Sequence, residues 1–253
     1  MPLQVHQFAC LNDNYGFLIR DEASGQVACI DTPDAEAILS ELGRKGWTLD
    51  LIMNTHWHPD HAGGNARLKE ATGCNIVGPQ EVTKIAPLDR PVVDGDIVEL
   101  GQTRFEVMET GGHTLGHISY YDVADSVAFV GDTLFALGCG RLFEGTAEQM
   151  WTSLSRLAAL PDETLVYCAH EYTAANARFA LSVDNGPGIT ARAQEVFAAR
   201  QRGEPTVPTR IGAEKAANPF LRAPQLKAGL GLAAATDAEA FAAVRRAKDA
   251  FQG

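Results

Sequence analysis

The stretch His56-Trp57-His58-Pro59-Asp60-His61 places three imidazoles and one carboxylate within six residues, directly after the apolar run 51–53. Imidazole and carboxylate together suit zinc, iron or manganese. In an extended segment His56 and His58 project to the same side, because side chains alternate with period two. Since one ion cannot be reached by all four side chains, we expect two adjacent ions, with Asp60 and His61 on the second. A His-rich surface loop is the alternative.

Three later segments each join an apolar run to one further candidate ligand. His113 follows the run 105–108, Asp132 follows 127–130, and His170 follows 164–168. In layered α/β folds the ends of strands form a common rim at which sites are built. These positions therefore predict that the later ligands meet the first four at one place, which a surface loop would not require.

The elements that must position these side chains change in kind along the chain. Up to residue 170, short strands alternate with loops and helices, whereas no strand pattern follows residue 170. We therefore predict an α/β body over 1–170 and a helical extension over 171–253. The predicted elements include a hairpin within 17–30 and helices over 34–43, 63–71, 148–160, 174–183, 189–202 and 237–251.

Composition excludes several other classes of protein. The net charge of −11 disfavours a nucleic-acid partner. No apolar run approaches the ~20 residues that span a bilayer, and the N-terminus lacks the pattern of a secretory signal. Five scattered cysteines without a CxxC pair indicate reduced thiols. We therefore expect a cytoplasmic protein without a membrane partner.

The ligand order HxHxDH, His113, Asp132 and His170 resembles that of the metallo-β-lactamase superfamily. Further motifs narrow the resemblance to glyoxalase II, the family of hydroxyacylglutathione hydrolases, over essentially the whole chain. It implies an αββα sandwich followed by a smaller all-helical domain. The motifs are GDTLF at 131–135, GCGR at 138–141, FEGT at 143–146, HEYT at 170–173, NPFLR at 218–222 and RRAK at 245–248.

The resemblance assigns every candidate ligand to one of two divalent ions. One ion would take His56, His58 and His113, the other would take Asp60, His61 and His170, and Asp132 would bridge them. Asp60 and Asp132 would thereby position a metal-bridging hydroxide. We expect zinc, with iron or manganese as alternatives. His117 and Asp31 are expected to support the site by hydrogen bonding or packing rather than as ligands.

The resemblance also implies which residues bind the peptide part of a glutathione thioester, a small anionic molecule. They are Arg141, Phe143, Tyr172, Arg245 and Lys248. The last two lie three residues apart and share one face of a helix. Arg141 and Phe143 stand where related enzymes commonly show lysine and tyrosine. Arginine keeps the positive charge, whereas Phe143 lacks a hydroxyl group for a hydrogen bond to the peptide.

These expectations combine into one function and two alternatives. The chain is expected to be a monomer that hydrolyses S-lactoylglutathione to glutathione and D-lactate, the second step of methylglyoxal detoxification. A thiolate leaves without strong protonation, because a thiol has a pKa near ~8.5, and no GxSxG nucleophile motif is present. The alternatives are a mononuclear iron dioxygenase of the same fold that oxidises glutathione persulfide, and a non-catalytic module that binds glutathione adducts.

Overall fold

The computed structural model describes residues 3–184 and 186–252, and these form two compact units. The first unit contains the described residues up to Glu109, together with Gly116–Gly131. The second contains Thr110–Leu115 and the described residues from Asp132 onward.

A six-stranded mixed sheet organises the first unit, with its strands in sequence order. The first three strands are antiparallel, and the next three continue in parallel. The strands are β1 (Leu3–Cys10), β2 (Asn14–Asp21), β3 (Val27–Ile30), β4 (Leu51–Met53), β5 (Asn75–Gly78) and β6 (Arg90–Pro91). Between them lie α1 (Ala35–Lys45), α2 (Pro59–Ala62), α3 (Asn65–Thr72) and a 3₁₀ turn at Gln80–Lys84.

Helix α1 shows how local chemistry defines these elements. Its N-cap Asp34 accepts hydrogen bonds from two backbone N–H groups of the first turn, and Gly46 ends it with a φ of 66°. Its buried Ile38 and Leu42 belong to a hydrophobic cluster that contains Ile52 of β4 and other residues of the sheet.

A second sheet of the first unit is an antiparallel meander. It contains β7 (Ile97–Leu100), β8 (Thr103–Glu109), β9 (Ile118–Asp122) and β10 (Val127–Gly131). Its aromatic side chains contact the first sheet: the Phe129 ring lies 5.8 Å from that of Phe17. The Tyr120 hydroxyl donates to the Asn54 carbonyl at 2.8 Å, next to the candidate ligands.

The second unit consists mainly of helices. Its strands are β11 (Leu134–Phe135), β12 (Gly138–Cys139), β13 (Leu165–Cys168) and β14 (Thr209–Arg210). Its helices are α4 (Ala147–Ala158), α5 (Thr173–Val183), α6 (Pro187–Gln201), α7 (Ile211–Ala217), α8 (Ala223–Leu226) and α9 (Asp237–Ala250). The rings of Phe179, Phe220 and Phe241 pack on one another, with centroids 5.8 and 6.1 Å apart. A capping box of Thr236 and Glu239 begins α9.

The mixed α/β fold with a C-terminal helical region is confirmed. The hairpin of β2 and β3 and the predicted helices are present, with ends that shift by a few residues. The expectation that no strand follows residue 170 is wrong, since β14 pairs with β13. Two residues bounded by Pro208 are too few to show alternation. The boundary after residue 170 stays a prediction. No helix among the described residues has the length and hydropathy needed to span a membrane.

Candidate metal centre and adjoining cavity

The first unit brings His56 and His58 together directly after β4. His56 is fully buried. Its Nε2 lies 3.0 Å from Nδ1 of His58, so these two imidazole nitrogens converge on one point. Helix α2 begins just after His58 and turns Asp60 and His61 back over the same segment. The rings of His56 and His61 are consequently only 4.0 Å apart. Four candidate ligands thus form one group, as their spacing predicts.

Asp31 connects two of these imidazoles through one hydrogen-bonded network. Its Oδ2 lies 2.8 Å from Nδ1 of His61 and accepts from the Thr55 hydroxyl at 2.8 Å. Because that hydroxyl gives its proton to Asp31, its oxygen accepts from Nδ1 of His56, 3.0 Å away. Both imidazoles therefore carry the proton on Nδ1 and the lone pair on Nε2, the form in which Nε2 can bind a metal.

Asp60 and His61 form the other part of this group. The Asp60 Oδ2 lies 3.5 Å from Nε2 of His61 and accepts from the Asn14 amide at 3.0 Å. The buried His117 stacks on His56 with ring centroids 4.8 Å apart, which fits the expected packing role.

We expect Asp31→Asn to weaken metal binding by about 10–100-fold, the usual cost of losing such an outer partner. Asparagine keeps the shape and tolerates the left-handed backbone of residue 31, whose φ is 56°. Asparagine has one acceptor oxygen, so it cannot replace the bonds of Oδ1 to the Thr55 backbone and of Oδ2 to His61 together. With its amide N–H facing Nδ1 of His61, the His61 proton moves to Nε2, the candidate ligand atom. Competition with a metal-binding dye measures the change. Asp50→Asn, which alters a carboxylate bonded to the backbone of Val27, is the matched control. Equal affinities in both variants would contradict the network.

The second unit contributes the other three candidate ligands, each at the end of an apolar strand. The Asp132 carboxylate lies between two imidazoles: Oδ2 is 3.4 Å from Nε2 of His113, and Oδ1 is 3.4 Å from Nε2 of His170. All three side chains are buried. Nδ1 of His113 donates to the Arg141 carbonyl at 2.8 Å, which leaves the lone pair on Nε2. One carboxylate that presents a separate oxygen to each imidazole suits a bridging ligand.

Gly140 allows this arrangement. A Cβ atom at that position would lie 1.9 Å from the carbonyl oxygen of Asp132, so no other residue fits without moving the backbone. Gly140 therefore allows the backbone of the GCGR segment to pass close to the backbone of Asp132, the candidate bridging residue.

A cavity of about 400 Å³ adjoins this second group. Its size lies within the usual range of small-molecule sites. It is lined by His113 and Asp132 and by all five residues that the resemblance assigns to substrate binding. Its lining is His113, Asp132, Phe135, Cys139, Arg141, Phe143, Tyr172, Ala175, Asn176, Arg245 and Lys248.

Two cations from α9 border the cavity in different ways. Arg245 is buried, and it donates to the Cys139 carbonyl at 3.1 Å and to the Asp249 carboxylate at 2.8 Å. Lys248 donates to the Ala175 carbonyl at 3.3 Å. Burial and the neighbouring Arg245 lower the pKa of Lys248 from its ordinary value. An anionic ligand in the cavity would oppose this lowering of the Lys248 pKa, because it places negative charge near the ammonium group.

Cys139 lines the cavity but is a poor nucleophile. Burial raises the pKa of its thiol to about 11, against an opposing effect of Arg245. The thiolate fraction at neutral pH is therefore very small, which agrees with the absence of a nucleophile motif.

Phe135 and Asn176 also line the cavity, although the sequence patterns predict no role for either residue there. The Phe135 ring meets those of His170 and Tyr172 edge-on, with centroids 5.9 and 5.4 Å away. Asn176 lies four residues after Tyr172 at the start of α5, and this helical spacing was the available signal.

Comparisons with known proteins divide the chain into two matched regions. Residues 29–170 match the model of the metallo-beta-lactamase superfamily. Residues 171–251 match the model described as the hydroxyacylglutathione hydrolase C-terminus.

Curated relatives and solved structures agree with these matches. A hydroxyacylglutathione hydrolase of Maricaulis maris is 56% identical over 98% of this chain and 99% of that protein. One of Erythrobacter litoralis is 54% identical over 98% and 100%. The ETHE1 structure from Myxococcus xanthus covers 98% of both chains with 29% identity and a TM-score of 0.68. TTHA1623, solved in a di-iron-bound form, covers 86% of this chain and 100% of its own, with 26% identity and a TM-score of 0.62.

Proposed function

We infer from the family to which this chain belongs, the hydroxyacylglutathione hydrolases of the metallo-β-lactamase superfamily, that it hydrolyses S-lactoylglutathione to glutathione and D-lactate. The chain is a thioester hydrolase. The observation that carries the choice of substrate is the cavity beside His113 and Asp132, whose cations are Arg141, Arg245 and Lys248. A glutathione thioester brings two carboxylates, which such cations bind.

The candidate ligands fit a pair of divalent ions. We propose that His56, His58 and His113 bind one ion, that Asp60, His61 and His170 bind the other, and that Asp132 is shared. Each of these side chains offers an imidazole nitrogen or a carboxylate oxygen. The di-iron form of TTHA1623 supports two ions. Zinc is the proposed metal, with iron or manganese as alternatives, since all three accept this mixed donor set.

When bound, such ions supply a hydroxide nucleophile at neutral pH and polarise the thioester carbonyl. The chain's own contribution is orientation. Asp132 is buried between two imidazoles, and Asn14 donates to Asp60 and fixes that carboxylate. The cavity residues hold the peptide so that the thioester lies beside Asp132. Since the departing thiolate needs little protonation, the chain needs no dedicated general acid.

We propose further that the enzyme acts as a cytoplasmic monomer in methylglyoxal detoxification, without a nucleic-acid or membrane partner. The net charge of −11 supports the absence of nucleic acid. Residues 1–170 would form the catalytic domain and 171–253 the glutathione-binding domain, which agrees with the two matched regions.

The decisive experiment incubates the metal-loaded protein with S-lactoylglutathione. We expect loss of the thioester's ultraviolet absorbance together with one equivalent of free thiol, measured with a thiol reagent. Metal analysis should give two ions per chain. A fully metallated protein without turnover would favour a binding module. One iron per chain, with oxygen uptake on glutathione persulfide, would establish the dioxygenase instead.

We expect Arg141→Gln to raise KM by about 10-fold and to change kcat by less than about threefold, because a cation that binds the peptide equally throughout the reaction affects KM alone. The Arg141 side chain is largely exposed at the edge of the cavity. Arg141→Lys should restore most of the affinity, since it restores the charge. Arg246→Gln, on the exposed face of α9, is the matched control. If both glutamine variants changed KM equally, general charge rather than a specific contact would be responsible.

A further inference from the structure

The hairpin of β11 and β12 forms one wall of the cavity, and helical side chains bind its backbone. Phe135 and Cys139 of this hairpin line the cavity. The side chain of Leu137 at its tip is fully buried in a cluster with Ala177, Ile189 and other residues of α5, α6 and α7. Leu137 also has a φ of 57°, a conformation that a leucine adopts rarely and that its surroundings must enforce.

Asn218 contacts this backbone at two carbonyls. It is fully buried. Its Nδ2 lies 3.1 Å from the Phe135 carbonyl and 2.9 Å from the Gly138 carbonyl, and its Oδ1 accepts from the Phe220 backbone at 3.0 Å. One amide therefore spans both strands of the hairpin.

Glu214 completes the arrangement from one turn earlier on α7. Its Oε2 accepts from the Leu137 backbone N–H at 2.7 Å and lies 2.9 Å from Nδ2 of Asn218. The two N–H groups of that amide are thus shared among three oxygens. Oε1 of Glu214 accepts from the Thr209 hydroxyl at 2.6 Å. Glu214 is fully buried, and burial raises the pKa of its carboxyl group. A buried carboxyl group is costly unless it is hydrogen-bonded, so these contacts are what makes Glu214 tolerable at this position.

Two further side chains bind two other carbonyls of the hairpin. Asn176 donates to the Ala136 carbonyl at 3.1 Å, and Arg245 donates to the Cys139 carbonyl at 3.1 Å. Five backbone atoms of a six-residue hairpin are thus bonded to four side chains from outside it. A cavity wall held at so many points keeps one position before ligand arrives, which reduces the entropy lost on binding.

We propose that Glu214 and Asn218 are positioning residues that hold the 134–139 hairpin in the geometry that binds the glutathione part of the substrate. Neither residue lines the cavity, so both act through Phe135 and Cys139. The Phe135 ring in turn lies edge-on to Tyr172, which also lines the cavity. This inference rests on the proposed function, since it assumes that the cavity is the peptide site.

The test compares two disruptive variants with two controls. Asn218→Ala removes the amide that spans the hairpin. Glu214→Leu removes the acceptor for the Leu137 N–H and the Thr209 hydroxyl, so the Tm of this variant is measured to establish that it folds. Glu214→Gln keeps one oxygen towards Leu137, because the Thr209 hydroxyl can turn to accept from the new amide. Val196→Ala shortens a buried side chain of the helical cluster without touching these hydrogen bonds.

The measurements are the Kd for a non-hydrolysable S-alkylglutathione by calorimetry, KM and kcat for the thioester, and Tm. We expect Asn218→Ala and Glu214→Leu to raise both Kd and KM by about 10-fold, with kcat changed by less than about threefold. Glu214→Gln should stay within about twofold of the wild type in Kd. Val196→Ala should lower Tm while Kd stays unchanged, which separates positioning from loss of stability.

The outcomes distinguish this inference from the proposed function. If the wild type binds S-alkylglutathione and the folded Glu214→Leu variant binds it equally well, the positioning role is overturned and the hydrolase is untouched. A shift of Kd in Val196→Ala as large as that in Glu214→Leu would also overturn it. If the wild type does not hydrolyse the thioester, the proposed function is overturned, whereas the binding comparison still decides the role of the hairpin.

Discussion

Replacing Asp132 with alanine is expected to remove both metal ions and to lower kcat/KM by at least about 10³-fold, since even loss of an outer partner of a ligand costs about 10–100-fold. The Asp132 carboxylate presents one oxygen to Nε2 of His113 and the other to Nε2 of His170, each at 3.4 Å. These imidazoles are the proposed ligands of different ions. Removing the carboxylate therefore takes one negative ligand from each ion and leaves two cations without the charge between them.

Metal analysis after gel filtration and a thioester assay measure this effect. Asp162→Ala removes an exposed carboxylate of the same unit that pairs with Lys215, and it is the matched control. It should retain two ions and full activity. Asp132→Asn, which keeps the size of the side chain and one oxygen, should lie between the two in metal content. Retention of both ions and of turnover in Asp132→Ala would refute the shared ligand.

The grouping of the candidate ligands could be predicted from the sequence because imidazole and carboxylate side chains have specific chemistry. Imidazoles are scarce, and three of the seven histidines lie between His56 and His61. His113 and His170 each follow a recognisable apolar strand. Because sites in α/β folds form at the ends of strands, these positions predict that the candidate ligands meet, even when no contact between them is known.

The hairpin contacts could not be predicted in the same way. Asn218 and Glu214 bind backbone carbonyl and N–H groups, which every residue possesses, so no residue type in the hairpin indicates its partner. Asn218 belongs to the NPFLR motif at 218–222, but that motif does not indicate which groups its amide binds. Similarly, β14 contains only Thr209 and Arg210, and no periodicity exists over two residues.

The hydrogen-bonded network around Asp31 could be predicted from the sequence only in part. Its position at the end of β3 suggested a supporting role, and the structure shows that it contacts Thr55 and His61. Sequence could not show that Thr55 relays the effect to His56, because that relay depends on the direction of a single hydroxyl proton.

Deleting residues 176–253 is expected to abolish cooperative folding of the remaining chain rather than to leave a metal-binding core. The deletion removes all four side chains that bind the 134–139 hairpin, and it exposes the fully buried Leu137. Residues from Asp132 to His170 also share one compact unit with the residues that are removed. The carbonyls of the hairpin would then bind water, and nothing would enforce the left-handed conformation of Leu137.

Thermal unfolding followed by circular dichroism, together with metal analysis, measures the result. We expect the 1–175 fragment to show no sharp transition and to hold less than about one tenth of the wild-type metal, because metal binding depends on a folded site. Adding the separate 176–253 fragment is the control. If the fragments reassemble, both metal content and the transition should return, since the missing contacts are non-covalent.

The same deletion tests the predicted boundary after residue 170. A fragment that folds cooperatively and binds two ions would mean that residues 1–170 are a domain in the physical sense and that the helices serve substrate alone. If the fragment neither folds cooperatively nor binds metal, the point after residue 170 where the two family matches meet does not separate two independently folding domains. The hairpin contacts favour the second result, because the backbone between Asp132 and Arg141 is bonded chiefly to side chains that follow residue 170. The helical segment would then be needed for the metals as well as for glutathione.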